Sequence, residues 1–162
     1  MIKALHTLSR IFDRAGELLC LVMVLTMVFV TGAQIVFRVF FTALTWSEEL
    51  TRYLLAWSTF IGASCVYRHA GHINITLIQD HMPPAARRAV KILVHCICAV
   101  FFGLMIYYGI AYAYQMRRQL SPAMRIPMCW MYASIPFGGG LLLLHAVDAL
   151  MTTLFGSKGD AA

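Results

Sequence analysis

Four long apolar runs constrain this chain more than any other feature of its sequence. They lie at roughly 18–41, 50–67, 90–114 and 130–155. A helix that crosses a bilayer needs about 20 mostly apolar residues, and lipid leaves helices and closed barrels as the only spanning structures. Only 12% of the residues are charged, whereas a soluble domain carries about 25%. We therefore predict an all-α integral membrane protein, with four transmembrane helices forming a single domain over 1–162.

The segment ahead of the first run has helical periodicity. Its apolar positions are Ile2, Leu5, Leu8, Ile11 and Phe12. Basic residues occupy the other faces, a pattern typical of helices that lie in the plane of the membrane surface. We predict a short amphipathic interfacial helix here. The apolar run that follows is longer than the core of a signal peptide and has no clear cleavage site, so we expect an uncleaved first helix.

The distribution of basic residues predicts the orientation, because basic loops tend to stay in the cytoplasm. Four spans place both termini on one side, which carries the larger set: Lys3, Arg10, Arg14, Arg68, Arg87, Arg88, Lys91 and Lys158. The other side carries Arg38, Arg52, Arg117, Arg118 and Arg125. We predict that both termini are cytoplasmic. The net charge of +6 does not indicate a nucleic-acid partner, because these residues flank apolar runs, where anionic lipid headgroups lie.

The motifs of several enzyme classes are missing. The sequence has no phosphate-binding loop, no dinucleotide fingerprint, no HExxH and no GxSxG. Its five cysteines show no metal-binding spacing. We expect no catalytic residues, no metal and no cofactor. No carboxylate lies in the middle of a run, so the chain is also a poor candidate for a self-sufficient carrier or a small autonomous exporter.

The start of the second run is rich in polar and aromatic residues. Ser47 is a candidate helix cap, followed by two carboxylates that favour a helix N-terminus. One face of the predicted helix carries Glu48, Arg52, Leu55, Thr59 and Gly62. This pattern has two interpretations: an ordinary helix start, in which Glu48 pairs with Arg52, or a seam that docks a helix of this chain or of a partner. Arg38 either reaches the membrane surface or pairs with a carboxylate across the turn.

Two histidines form an alternative candidate site. His95 and His145 lie inside the third and fourth runs, at similar predicted depth. Two imidazoles in a helical bundle can bind a haem iron, although a membrane histidine more often forms an interhelical hydrogen bond. A haem-binding anchor subunit of a redox complex is therefore the alternative function. Early in the fourth run, Gly138-Gly139-Gly140 indicates close helix packing or a flexible point.

Two motifs of the sequence resemble a known family. The first is Trp46-Ser47-Glu48-Glu49-Leu50-Thr51-Arg52-Tyr53-Leu54-Leu55-Ala56-Trp57, followed by Gly62-Ala63. The second is Arg68-His69-Ala70-Gly71-His72-Ile73. Together they are similar to the small permease subunit of tripartite ATP-independent periplasmic (TRAP) transporters, the DctQ-like family. The motifs cover about a sixth of the chain, and its length and four predicted spans agree with the family.

The resemblance implies a function that composition does not. Such subunits lie in the bacterial inner membrane and pair with a large multi-helix permease subunit that carries the sodium and substrate sites. A periplasmic binding protein delivers an organic acid, such as a dicarboxylate or a sialic acid. The small subunit would be a scaffold in contact with membrane lipids. The resemblance also implies that the two motifs are partner-binding or structural, with Arg68–Ile73 locking a turn or contacting lipid phosphate or the partner.

Overall fold

The computed structural model describes residues 2–42, 44–70 and 84–155, and the side chains of 9–42, 44–69, 86 and 89–153. Four long helices form most of this part of the chain: α1 (Ile2–Phe40), α2 (Thr45–Ala70), α3 (Pro84–Gln115) and α4 (Ser134–Phe155). A 3-10 turn, Met116–Arg118, and a short helix, Cys129–Tyr132, connect α3 to α4. The predicted all-α fold is confirmed.

Three of the four helices are long and apolar enough to cross a membrane. The qualifying segments are Ser9–Phe40, Ala89–Arg118 and Cys129–Thr153. The remaining helix, α2, has 26 residues and is about 39 Å long, which exceeds the ~30 Å hydrocarbon core of a bilayer. Its charged residues make it less apolar than the others, so lipid is a poor solvent for its whole surface.

The structure corrects the prediction of a separate interfacial helix. α1 runs without a break over its 39 residues, Ile2–Phe40. The predicted surface segment is therefore the first part of the same helix that contains the first apolar run. No proline, one of the usual causes of a kink, occurs within 2–40.

The inward face of this segment is polar and small rather than apolar. Ser9 and Asp13 are buried against the rest of the bundle, whereas Ile11 is 60% and Phe12 41% exposed. Small and polar residues allow close approach and hydrogen bonding between helices in lipid, where apolar side chains gain little by facing inward. The apolar periodicity of 2–12 consequently marks the outer face, as far as the side chains from Ser9 onward show.

α4 is the central helix of the bundle. It contacts each of the other three, most extensively α3 and then α2, while α1 packs mainly on α2. The buried apolar residues include Ile61, Phe102, Leu142 and Ala146. α4 approaches α2 closely at Gly138, where an added Cβ would be 2.5 Å from the Cβ of Phe60. Of the two interpretations of the glycine run, the structure shows close packing, within a regular helix.

Candidate functional site

The first polar turn of α2 is fixed by Ser47, but not as a helix cap. α2 begins at Thr45, so Ser47 lies inside the helix. Its hydroxyl donates a hydrogen bond to the carbonyl oxygen of Leu44 at 2.7 Å, and the side chain is fully buried. A cap would instead accept from a backbone N–H group of the first turn. The prediction of capping was wrong, and Ser47 instead ties α2 to the turn that precedes it.

Glu49 joins α2 to the loop between α3 and α4. Its Oε2 atom accepts hydrogen bonds from the backbone N–H groups of Ala123, at 3.0 Å, and Met124, at 2.7 Å. The carboxylate is buried. It therefore satisfies two backbone donors at the tip of a turn that is distant in sequence, and both bonds are charge-assisted.

The loop that Glu49 holds is a narrow turn. Ser121 and Ile126 exchange hydrogen bonds across it, and Arg125 has a positive φ of 56° at its tip. Burial alone would raise the pKa of the Glu49 carboxyl, which lies just ahead of the predicted span. Hydrogen bonding by Met124, Ser121 and Ala123, together with the charge of Arg52, outweighs that effect, and the pKa lies below its ordinary value.

Aromatic residues of the first motif also contact the segment that leads into α4 and the start of α4 itself. Trp57 donates a hydrogen bond from Nε1 to the carbonyl oxygen of Trp130 at 3.1 Å and packs on Phe137, with ring centroids 5.5 Å apart. Tyr53 is half-buried, whereas Trp46 is 43% exposed. Most of the motif's inward-facing residues thus hold this chain's own helices together.

Another face of α2 is largely exposed, with α1 beside it among the described helices. Glu48, Arg52, Leu55 and Thr59 are all exposed and lie along one side; we call them the α2 stripe. Gly62, predicted to belong to the same face, is half-buried, and a Cβ there would approach Cys20 of α1 at 3.7 Å. A groove of about 300 Å³ runs beside the stripe, with lining residues Met27, Thr31, Glu48, Thr51, Arg52 and Leu55.

The predicted ion pairs at this end do not form among the described residues. Glu48 accepts a hydrogen bond from Gln34 at 3.2 Å instead of pairing with Arg52. Arg38 has no ion pair within that part of the chain either, and it is exposed in the last turn of α1. The α2 stripe consequently presents an exposed carboxylate and an exposed guanidinium that are not paired with each other, and the charge of Arg52 acts instead on the nearby carboxylate of Glu49.

A second polar cluster lies at the other end of the bundle. The Nε atom of Arg68 is 3.6 Å from Oδ2 of Asp13, and Nε2 of His69 is 3.8 Å from that same oxygen. His69 Nε2 also lies 3.8 Å from Glu17, which is more than half exposed. The end of α2 is thus joined electrostatically to α1. The remaining motif residues Gly71, His72 and Ile73 lie outside the described part of the chain.

His95 and His145, the two histidines of the alternative candidate site, lie at this same end of the bundle. His95 contacts the hydroxyl of Tyr67 through Nδ1 at 3.1 Å, and His145 contacts the hydroxyl of Ser9 through Nδ1 at 2.8 Å. These contacts join α3 to α2 and α4 to α1. Interhelical hydrogen bonding, the commoner role of a membrane histidine, therefore explains why both residues are buried.

Replacing Ser9 by alanine tests the α1–α4 contact. The Nδ1 atom of buried His145 would lose its partner, and an unsatisfied buried polar atom costs about 1–3 kcal/mol. We expect the free energy of unfolding in detergent to fall by about that amount. Ser64→Ala is the matched control, because Ser64 is equally buried but its hydroxyl donates only within α2, to Ile61. Equal losses in the two variants would show that the Ser9–His145 contact contributes nothing specific.

Sequence reasoning missed Ser9 and Asp13. Both lie in a segment whose apolar periodicity drew attention to the opposite face. A signal was present: Ser9, Asp13, Gly16 and Cys20 follow at intervals of four, three and four residues, which places small and polar side chains on one face of a helix. Glu49 had been assigned to the motif, but its partner loop could not be inferred from spacing.

Comparison with known proteins decides the family. The model of the DctQ component of tripartite ATP-independent periplasmic transporters matches residues 27–156, which is most of the chain. The chain belongs to the DctQ family of TRAP transporter subunits. This confirms the resemblance seen in the two motifs, and it places the protein among multi-pass membrane transporter subunits rather than enzymes. The haem hypothesis, which no observation tests, stays a prediction.

Curated relatives of this DctQ family member agree. The chain is 28% identical over 120 residues to the sialic acid TRAP transporter small permease protein of Vibrio cholerae, covering 72% of this chain and 69% of the relative. It is 25% identical over 153 residues to the ectoine TRAP transporter small permease protein of Halomonas elongata, covering 93% and 78%. It is also 28% identical over 118 residues to the sialic acid TRAP transporter permease protein of Haemophilus influenzae, covering 72% of this chain but 19% of that longer protein.

Proposed function

We propose that this chain is the scaffold that holds a large multi-helix permease subunit in the bacterial inner membrane. In this role its four helices cross the membrane as a single domain, with both termini in the cytoplasm. The large subunit performs sodium-coupled import of an organic acid delivered by a periplasmic binding protein. The observation that carries the proposal is the α2 stripe, an exposed polar face on the least apolar helix of the bundle.

The α2 stripe needs a protein partner for a physical reason. Glu48 lies just ahead of the predicted span and Arg52 just inside it, at the membrane boundary. Lipid tails give the guanidinium no partner there, whereas a second protein can supply hydrogen-bond partners and opposite charges to both groups. Glu48 and Arg52 are exposed beside a groove that the other described helices leave unfilled. A neighbouring helix seated there would bury this face and complete the shielding of α2. We assign this surface to the large subunit.

The relatives support the same arrangement. In the longer Haemophilus influenzae permease protein, a stretch similar to this chain makes up about a fifth of a single polypeptide. A covalent link of that kind is expected where the two parts work side by side in the membrane. The names of the small relatives mention sialic acid and ectoine, both of which carry a carboxylate, and this favours an organic acid as the substrate class for the present system.

Reversing the charge of Arg52 tests the docking surface. We expect Arg52→Glu to reduce recovery of the large subunit in a mild-detergent pull-down by about tenfold or more, since misplaced like charges at an interface cost several kcal/mol. The helices of this chain should still form, because Arg52 is exposed. Its charge also acts on Glu49, so hydrogen exchange at the amides of Ala123 and Met124 checks that the Glu49 contact persists. Recovery is measured by quantitative mass spectrometry, and the helix content of the purified chain by circular dichroism.

Arg118→Glu is the control for this experiment. Arg118 is exposed at the same end of the bundle but lies outside the α2 stripe, so recovery should stay at the level of the unaltered chain. Equal recovery with Arg52→Glu and Arg118→Glu would rule out the α2 stripe as the docking surface. Substrate uptake by liposomes containing this chain alone would overturn the scaffold role itself.

A further inference from the structure

Three side chains that can ligate a metal converge where the end of α2 packs on α1. They are Asp13 and Glu17 of α1 and His69 of α2, and one ligand atom of each lies within 4.8 Å of the others. Nε2 of His69 is 3.8 Å from Oδ2 of Asp13 and 3.8 Å from Oε1 of Glu17. This cluster lies at the opposite end of α2 from the charged residues of the α2 stripe, so it does not depend on the proposed scaffold role.

The second ring nitrogen of His69 shows which nitrogen is available as a ligand. Nδ1 lies 2.9 Å from the backbone carbonyl oxygen of Cys65. A carbonyl oxygen only accepts hydrogen bonds, so Nδ1 carries a proton, and in the neutral ring Nε2 keeps its lone pair. Metal-ligating histidines are commonly oriented in this way, with one ring nitrogen donating to a backbone carbonyl and the other binding the ion.

The distances between the three side chains suit an ion better than direct hydrogen bonds. Both separations of 3.8 Å exceed the roughly 2.7–3.2 Å of a hydrogen bond. Ligand atoms about 2.1 Å from a tetrahedral zinc ion are about 3.4 Å apart, so small side-chain movements would bring all three onto one ion. The Asp13 side chain is 8% exposed, and among the described residues its Oδ2 has only long contacts, at 3.6 Å to Arg68 and 3.8 Å to His69.

The charge and chemistry of the cluster restrict the ion. When His69 is neutral, the two carboxylates and the guanidinium of Arg68 leave one net negative charge, which favours a cation. One imidazole nitrogen and two carboxylate oxygens are ligands that zinc accepts, with water in the fourth position. Magnesium and calcium prefer oxygen ligands alone, and the imidazole therefore favours zinc over both.

We propose that Asp13, Glu17 and His69 form a zinc site that joins α1 to the end of α2. Asp13 and Glu17 have the i,i+4 spacing by which one helix presents two ligands to the same ion, and His69 supplies the third ligand from α2. The bound ion holds α1 against the helix end that begins the Arg68–Ile73 motif. Cysteine spacing, on which the expectation of no metal depended, does not bear on a site whose ligands are carboxylates and an imidazole from two helices.

Zinc binding by the whole chain tests the proposal. The chain is purified in detergent without a histidine tag and is freed of metal by a chelator. Affinity is measured by competition with a chromophoric chelator, and cobalt(II) serves as a visible-absorption probe of the same ligands. We expect one zinc ion per chain, and a higher unfolding temperature when zinc is added, because a ligand that binds only the folded state stabilises it. Magnesium at the same concentration should have neither effect.

Glu17→Gln and His69→Asn should each weaken zinc binding about 100-fold or more, since losing a residue that merely orients a metal ligand already costs about 10- to 100-fold. The two side chains are 55% and 61% exposed, so neither change should prevent folding, which circular dichroism checks. Glu48→Gln is the matched control, because it makes the same change in an exposed carboxylate at the other end of α2. It should bind zinc as tightly as the unaltered chain.

The variants distinguish this site from zinc bound elsewhere on the chain. Binding that is lost in Glu17→Gln and His69→Asn, but kept in Glu48→Gln, supports the site. Equal zinc binding by Glu17→Gln and Glu48→Gln would overturn the proposal. Failure of the unaltered chain to bind zinc would also overturn it, and would identify the cluster as an ion pair between a protonated His69 and the two carboxylates.

Discussion

Gly138→Ala is expected to destabilise the bundle even though alanine is the better helix former. The added Cβ would lie 2.5 Å from the Cβ of Phe60 and 3.3 Å from its backbone Cα and C atoms. These atoms cannot move by side-chain rotation, so α4 and α2 would have to shift apart. Overpacking of this kind costs about 1–3 kcal/mol, beyond any gain of about 1 kcal/mol in helix propensity. Thermal unfolding in detergent measures the effect.

Gly140→Ala is the matched control, because an added Cβ there meets nothing within 4 Å. The same substitution two residues away in the same helix should leave stability unchanged or slightly raise it. Gly138→Ala should also reduce recovery of the large subunit, since the position of α2 depends on this contact. If the two variants melted at the same temperature, the close approach of α4 to α2 would not be a determinant of the fold.

Glu49→Gln is expected to loosen the turn between α3 and α4. The substitution keeps the size of the side chain but removes the charge that strengthens both hydrogen bonds to the backbone. We expect hydrogen exchange at the amides of Ala123 and Met124 to become about tenfold faster or more. Mass spectrometry of the 119–128 peptide, after exchange of the intact chain in detergent, measures this change.

Glu48→Gln is the control, since Glu48 is the adjacent carboxylate but is exposed and, among the described residues, bonded to Gln34 and not to the turn. It should leave exchange in the turn unchanged. Acid should reproduce the effect of Glu49→Gln: the pKa of Glu49 is lowered in the folded chain, so its stabilising contribution is present above the ordinary pKa and is lost as pH falls through the lowered value. Unchanged exchange in Glu49→Gln would show that the turn holds itself without Glu49.

Sequence reasoning succeeded where a single physical quantity decides the outcome. Hydropathy and run length predicted the all-α membrane fold, because the absence of water leaves few backbone structures available in lipid. The Trp46–Trp57 and Arg68–Ile73 motifs indicated the DctQ family. Both inferences depend on local patterns, which a single chain displays in full.

It failed for the polar contacts at the start of α2, one of them local and one between distant segments. Ser47 and Glu49 occupy the start of a helix and carry oxygen acceptors, so local rules assigned them to capping and the helix dipole. The structure instead joins Ser47 to Leu44 and Glu49 to a turn more than 70 residues away. Spacing along one helix carries no information about which loop will fold over its end.

By itself, the sequence determined the class of this protein and the extent of its apolar runs, since these follow from whether lipid or water is the more favourable solvent for each run. It also determined the family, through its two motifs. Only the tertiary structure decided which face of each helix lies inward. Hydrophobicity does not choose that face in lipid, where inward and outward environments are both apolar. Close contacts such as Gly138 on Phe60 and polar contacts such as Arg68 with Asp13 choose it instead, and they exist only once the helices have packed.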